Sequence, residues 1–241
     1  MKLSLLFFMA ALLPVSFKEK QLQFPRVRTA YDEKERVIKR YFADKKISFA
    51  GFQLFIRAFK RERTVEVWVR EKGKGTFTLL HAYPFCASSG TLGPKRKEGD
   101  GQIPEGLYAI EHFNPSSNFF LSLGIDYPNA SDKMLGDRQH PGSEIYIHGN
   151  CVTVGCIPLT DDKIKELYVL AVEARHAGQE KIPVHIFPTK LSDASLQALK
   201  QEFDNAATLS FWDNLKLMYD DFEKTKKLKT VHITAGGRYS F

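Results

Sequence analysis

Between residues 47 and 85 apolar and polar positions alternate with a period of two. Phe52, Leu54, Ile56 and Ala58 fall on one side of the alternation, and Val65, Val67 and Val69 interleave with Glu66, Trp68 and Arg70. Successive side chains of a strand point to opposite faces, so this spacing predicts half-buried strands. Lys72-Gly-Lys-Gly75 turns the chain into Thr76–Phe85, which completes a three-stranded meander. Further strands are predicted at Leu107–Phe113, Phe119–Ile125, Ile145–Ile147, Ile182–Phe187 and Val231–Thr234. Residues 87–106 read as loop, and a polar loop runs from Asp126-Tyr-Pro-Asn129 to Gly142. Loops of that length in a compact domain usually bind something.

On either side of this β-rich middle the period changes to one near 3.6. Val27, Ala30, Tyr31, Ile38, Tyr41 and Phe42 predict a surface helix within residues 18–46, with Pro25 suited to a first turn. Thr160 and Asp161 cap a second helix, whose stripe is Ile164, Leu167, Tyr168, Ala171 and Val172 and whose end is Gly178. Leu191 to Thr225 predicts two more. Leu196, Leu199 and Phe203 mark one; Phe211, Leu215, Met218 and Phe222 mark the other. These aromatics suit packing against the domain better than holding a cofactor.

The 241 residues suit one domain with decorations, and 43% hydrophobic with 26% charged residues is globular composition. A net charge of +7 and a pI near 9.2 favour acidic partners: nucleic acid, anionic lipid or an anionic polymer such as cell wall. The basic residues are scattered, with small clusters at Lys95-Arg96-Lys97 and Lys224 to Lys229, and they accompany no nucleic-acid motif. A solvated basic surface is the simpler reading. At the N-terminus Lys2 precedes an apolar run, residues 3–15, of signal-peptide length, with Ser16 as the candidate cleavage point. An uncleaved amphipathic anchor is the alternative. The chain is therefore read as exported, with no membrane span after the signal is removed. Cys86, Cys151 and Cys156 leave at least one thiol unpaired. Pairing of Cys86 with Cys151 would leave Cys156 free; three reduced thiols are equally compatible with the sequence.

The chemistry concentrates between Glu144 and Pro158. A short strand ends in His148-Gly149, a turn follows, and Gly155-Cys156 precedes the helix start at Thr160. A thiol needs a base to become a nucleophile, and a turn can bring His148 within hydrogen-bond reach of Cys156, eight positions later. Gly155 permits close backbone approach, so its N–H and that of Cys156 are candidate oxyanion donors. The helix that follows would favour a thiolate through its N-terminal dipole.

Ile147-His-Gly149, Gly155-Cys-Ile157 and Thr160-Asp161 together resemble the L,D-transpeptidase catalytic domain (YkuD-type), most closely its YafK-like subgroup. Gly99-Asp100 with Ile103-Pro-Glu-Gly-Leu-Tyr108, and Ile125-Asp-Tyr-Pro-Asn129, resemble two further family segments. The resemblance covers roughly residues 50–188. It implies a mainly β (α+β) fold, an L,D-transpeptidase-like β-sandwich or barrel with flanking helices at both termini. The implied organisation is a signal peptide (1–17), an N-terminal helical segment (18–46), the catalytic domain (47–188), and a C-terminal helical extension ending in a short strand (189–241).

By the same resemblance Cys156 is the nucleophile and His148 the base, with the Gly149 carbonyl orienting the imidazole. Thr153 sits where the family has Ser or Thr before x-Gly-Cys; Arg138, in the preceding loop, is a candidate for a substrate carboxylate. The implied partners are peptidoglycan stem peptides and, as acceptor, an amine, a cell-wall-linked protein or water; no cofactor and no metal are implied. Val154 stands where the family usually has His, and Pro158 where it often has Arg. Both departures keep hydrolysis beside cross-linking. Two competing readings are a metal set of His148, Cys151 and Cys156, joined by Cys86 or His140, and a wall-binding module without catalysis.

Overall fold

A computed structural model describes residues 15–241. The predicted signal-peptide core falls mainly on residues 1–14, outside the described residues; Ser16, its candidate end, caps the first helix.

In chain order the elements are α1 (Phe17–Gln21), α2 (Pro25–Asp44), β1 (Phe52–Phe59), β2 (Thr64–Glu71), β3 (Thr78–Pro84), β4 (Gly106–Asn114), β5 (Ser122–Ile125), α3 (Ala130–Leu135), β6 (Tyr146–His148) and β7 (Ile157–Pro158). Then come α4 (Asp161–His176), β8 (Ile182–Phe187), α5 (Asp193–Glu202), α6 (Ala206–Thr225), β9 (His232–Ile233) and β10 (Tyr239–Ser240). Eight strands form one mixed sheet in the order β3-β2-β1-β8-β4-β5-β6-β7, a half-barrel with helices on its flanks. β9 and β10 pair separately.

The meander forms as its alternation predicts. Leu54 lies opposite Val69, Ile56 opposite Val67 and Ala58 opposite Val65, and this face packs on α2 and α4. The alternation is nevertheless not one-sided. Phe55, Phe59 and Trp68 are buried as well, under Phe222, Trp212 and Leu215 of α6. Arg57 is buried on that second face. It pairs with Glu66 and Glu223 at 2.7 Å each and lies over the Trp68 and Phe222 rings, which supply the partners a buried guanidinium needs.

Several predicted boundaries move. Residues 18–46 hold two helices rather than one. Phe24 is extended (φ −88°, ψ 128°), as the residue before a proline prefers, and Pro25 starts α2. The polar stretch 126–142 is not all loop: Asn129 and Asp132 form a reciprocal capping box that starts α3. β5 begins at Ser122, later than expected, and β7 and β10, each two residues long, carried no readable period.

The C-terminal helices also reach the 87–106 segment. Glu105, fully buried, accepts from the Trp212 indole (2.6 Å) and the Gly93 amide (2.8 Å) and pairs with Lys60 at 2.9 Å. The Lys60 ammonium also donates to the Gly93 and Ile103 carbonyls. Both ends of the 93–105 stretch are thereby pinned to the sheet, which fixes one wall of the site described next.

Candidate active site

β6 runs antiparallel to β5 and parallel to β7, with Ile147 opposite Ile157 and His148 opposite Pro158. This register puts Cys156 at the mouth of β7, beside Tyr146. The thiol is half-buried; its sulfur accepts from the Tyr146 amide (3.4 Å) and its S–H donates to the Glu144 carbonyl (3.6 Å). Burial pushes the Cys156 thiol above its ordinary pKa. Glu144 adds to the rise, while the Tyr146 amide and the Lys95 charge oppose it.

His148 is buried, its ring 4.7 Å from that of Phe119. Its Nδ1 lies 2.6 Å from the Gly149 carbonyl oxygen. A carbonyl can only accept, so the proton sits on Nδ1 and the lone pair is left on Nε2. Burial lowers the imidazole pKa, partly opposed by this bond. Among the described residues no hydrogen bond joins the imidazole to the thiol. The expected bond between them is not formed: the S–H is taken up by the Glu144 carbonyl and the Nδ1–H by the Gly149 carbonyl.

The turn between them is held at every step. A Cβ on Gly149 would stand 2.7 Å from Asp161 Oδ1 and 2.8 Å from the Phe119 carbonyl, so only glycine fits. The Asn150 amide, at φ +63°, donates to Asp161 in the first turn of α4. Cys151 forms a disulfide with Cys86, across 65 positions of sequence, and leaves Cys156 as the free thiol. That disulfide also removes Cys86 and Cys151 from the competing metal set.

The two amides expected to face an oxyanion are engaged. The Gly155 N–H donates to Ser89 Oγ at 2.7 Å, and the Cys156 N–H donates to Thr153 Oγ1 at 3.0 Å. Thr153 returns a bond to the Cys156 carbonyl (2.8 Å), so its hydroxyl clips the nucleophile residue rather than facing a substrate. Arg138 is exposed, on the loop that joins the 96–98 segment through bonds from Asp137 N to Arg96 O and from Glu98 N to His140 O. Val154 is 79% exposed.

The basic cluster 95–97 is not simply solvated surface. Lys95 is only 6% exposed, and its ammonium donates to the Lys97 carbonyl (2.8 Å) and to Asp100 (2.7 Å). Asp100 also accepts from the amides of Arg96, Lys97 and Gln102, and it is held below the usual carboxylate range by these donors despite burial. Ser89, Lys95 and Glu144 carried no motif of their own; the Gly99-Asp100 pair was the signal that could have led to Lys95.

A family model described as the L,D-transpeptidase catalytic domain (YkuD) matches residues 55–186. The Escherichia coli (strain K12) protein described as "Putative L,D-transpeptidase YafK" is 35% identical over 191 residues, which cover 78% of this chain and 74% of that protein. The protein of the same description from Escherichia coli O157:H7 matches to the same extent. Among solved structures, the helical cell shape determining protein Pgp2 from Campylobacter jejuni aligns with a TM-score of 0.45 at 18% identity, over 75% of this chain and 73% of that one. Bdellovibrio bacteriovorus Bd1075 aligns with a TM-score of 0.39 at 22% identity, over 72% and 61%.

Proposed function

From the premise that the chain belongs to the L,D-transpeptidase catalytic domain (YkuD) family, we propose that it is an exported cysteine acyltransferase of peptidoglycan. The observation that supports this reading is the placement of one free, half-buried thiol at the mouth of the strand that adjoins a buried imidazole whose Nε2 is left as base.

The reaction runs in two halves. The Cys156 S–H turns from the Glu144 carbonyl to His148, which takes the proton. The sulfur attacks the carbonyl carbon at the L-centre of the third stem-peptide residue. The amides of Gly155 and Cys156 donate to the developing oxyanion as the Ser89 and Thr153 hydroxyls yield. The C–N bond to the terminal D-alanine breaks, the imidazolium returns its proton to the leaving amine, and a thioester remains on Cys156. An incoming amine then loses a proton to His148 and attacks the thioester; the C–S bond breaks and the thiol is reprotonated.

Water in the second half gives hydrolysis instead, a reading favoured by the exposed Val154 where family members usually carry an imidazole. The N-terminal apolar run, residues 3–15, supports export to the envelope, where peptidoglycan lies. Among the described residues no helix is long and apolar enough to cross a membrane.

Mass spectrometry of muropeptides incubated with the protein tests the proposal. The protein should release D-alanine and yield either a cross-linked or a shortened stem peptide, and Cys156→Ala should yield neither. Unchanged muropeptides, or full activity in Cys156→Ala, would contradict it and favour a binding module.

A further inference from the structure

Segments far apart in sequence enclose a cavity of ≈ 380 Å³ at the start of α6, its walls including Arg96, Leu135, Thr208, Ser210, Phe211 and Arg238. Neither Cys156 nor His148 lines it, and no acid does. Arg96 comes from the basic cluster 95–97, Leu135 from the end of α3, and Arg238 from the stretch that joins β9 to β10.

The protein leaves both guanidinium groups short of acceptors. Arg96 lies 4.8 Å from the centre of the Phe211 ring, which orients its plane. Its Nη1 is buried without a hydrogen-bond partner, and its other side-chain N–H groups have none among the described residues. Its counter-ion is Asp132, at 3.8 Å. That carboxyl already accepts from the Tyr108 hydroxyl and the Asn129 amide, and burial pushes it up to about 7, so it is a weak counter-charge near neutral pH. Arg238 is exposed and donates to Ser210, at 2.7 Å to Oγ and 2.9 Å to the carbonyl; its remaining N–H groups have no partner among the described residues. The helix adds further donors. Ser210 Oγ accepts from Arg238 and keeps its own proton to give. Asn205 caps the Thr208 amide, whereas the amide of Ala207, which also lines the cavity, has no acceptor among the described residues. The first turn of α6 holds no acid.

Two guanidinium groups, an amide and two hydroxyls therefore face one cavity. A cation would meet two positive charges there. A carboxylate brings one charge and two oxygens; a phosphate monoester brings close to two charges and three oxygens, which matches a pair of arginines better. The volume falls in the range of small-ligand sites, and Leu135 and Phe211 offer an apolar surface to the group that carries the phosphate. We propose that this cavity is a binding site for a phosphate monoester, its phosphoryl group held between Arg96 and Arg238 at the start of α6. The site is independent of the reaction at Cys156.

Calorimetric titration of the full chain tests the proposal, at a pH well above the second phosphate pKa of about 6. The soluble probe is glycerol 3-phosphate, with acetate as the carboxylate control. The lipid probe is vesicles of phosphatidylcholine containing phosphatidic acid, which present the same monoester on a membrane. Glycerol 3-phosphate should bind at least about tenfold more tightly than acetate. Arg96→Gln and Arg238→Gln should each weaken it about tenfold, the worth of one charge-assisted contact. Lys224→Gln, the same charge change in the last turn of α6, should leave it unaltered. Binding of glycerol 3-phosphate assigns the site to a soluble ester; binding of the vesicles alone, with the same pattern across the variants, assigns it to a lipid head group.

No binding of either probe, acetate bound as tightly as the ester, or an equal loss on Lys224→Gln would overturn the proposal. Should Arg96→Gln prevent folding, Arg238→Gln decides, because that side chain is exposed and bonded only to Ser210 among the described residues. Unaltered affinity in Arg238→Gln contradicts the site.

Discussion

The hydroxyl of Ser89 accepts a hydrogen bond from the Gly155 amide at 2.7 Å, three positions along the chain from the disulfide that ties Cys86 to Cys151. The loop opposite the nucleophile therefore covers a backbone donor that acyl chemistry would use. Removing the hydroxyl leaves that donor free in the resting protein. Ser89→Ala should raise the rate of Cys156 acylation by up to about fivefold, the worth of one ordinary hydrogen bond. Stopped-flow acylation by a reactive thioester or a β-lactam probe checks this, and a fall in rate would mean that the hydroxyl itself belongs to the reacting geometry.

The two titrating groups are shifted in opposite directions, and this fixes the shape of the pH profile. Burial lowers the His148 pKa from 6.5, so the imidazole stays neutral and able to accept a proton into mildly acid solution. The acid limb of kcat/KM should have its midpoint below 6.5, activity falling as pH drops through it. Burial raises the Cys156 pKa from 9.0, so the resting pair is neutral thiol and neutral imidazole rather than an ion pair. Alkylation by iodoacetamide should accordingly climb only above pH 9; rapid alkylation near pH 6 would indicate a preformed thiolate. His148→Ala should lower kcat by about 10²–10⁴-fold, the usual contribution of a general base.

The Cys86–Cys151 disulfide closes a long loop, and it also anchors the turn that separates base from nucleophile. Chain-entropy arguments put its contribution near 4 kcal/mol, between the values for 15- and 100-residue loops. Cys86→Ser with Cys151→Ser should lower the melting temperature and the acylation rate together. Reductant should reproduce both effects in the unmutated protein and leave the double variant unchanged.

The C-terminal helices act on the site through Glu105. This carboxylate joins Trp212 to Lys60 and to the Gly93 amide, and it is fully buried. Glu105→Gln leaves the Lys60 charge buried without its counter-ion, a loss of about 3–5 kcal/mol. Urea denaturation checks the magnitude. A parallel rise in iodoacetamide labelling of Cys156 would show that the 93–105 wall had loosened around the thiol.

The elements legible in the sequence are those whose cause is local. The period of two in Phe52–Ala58 and Val65–Val69, the Thr160 cap and the Gly178 stop all act within a few residues, and all form as read. The His-Gly and Gly-Cys pairs were legible for a similar reason, since a strand, a turn and a helix start lie within one short stretch. What escaped has distant causes. Phe55, Arg57 and Phe59 are buried only because α6, about 150 positions away, lies across the second face of the sheet. Lys95 looks like one charge in a basic cluster until Asp100 folds back onto it. Ser89 meets Gly155 where the Cys86–Cys151 disulfide also joins their two loops, and cysteine spacing alone left that pairing open.

In the proposed reaction Cys156 carries the acyl group of a stem peptide between the two halves. Acid-quenched reactions with a stem tetrapeptide, analysed by intact-protein and peptide mass spectrometry, address it most directly. A transient mass gain equal to the tripeptide acyl group is expected, mapped to the peptide containing Cys156 and absent from Cys156→Ala. D-Alanine release by the unmutated protein with no adduct on that cysteine at any quench time, and the same release by Cys156→Ala, would contradict it.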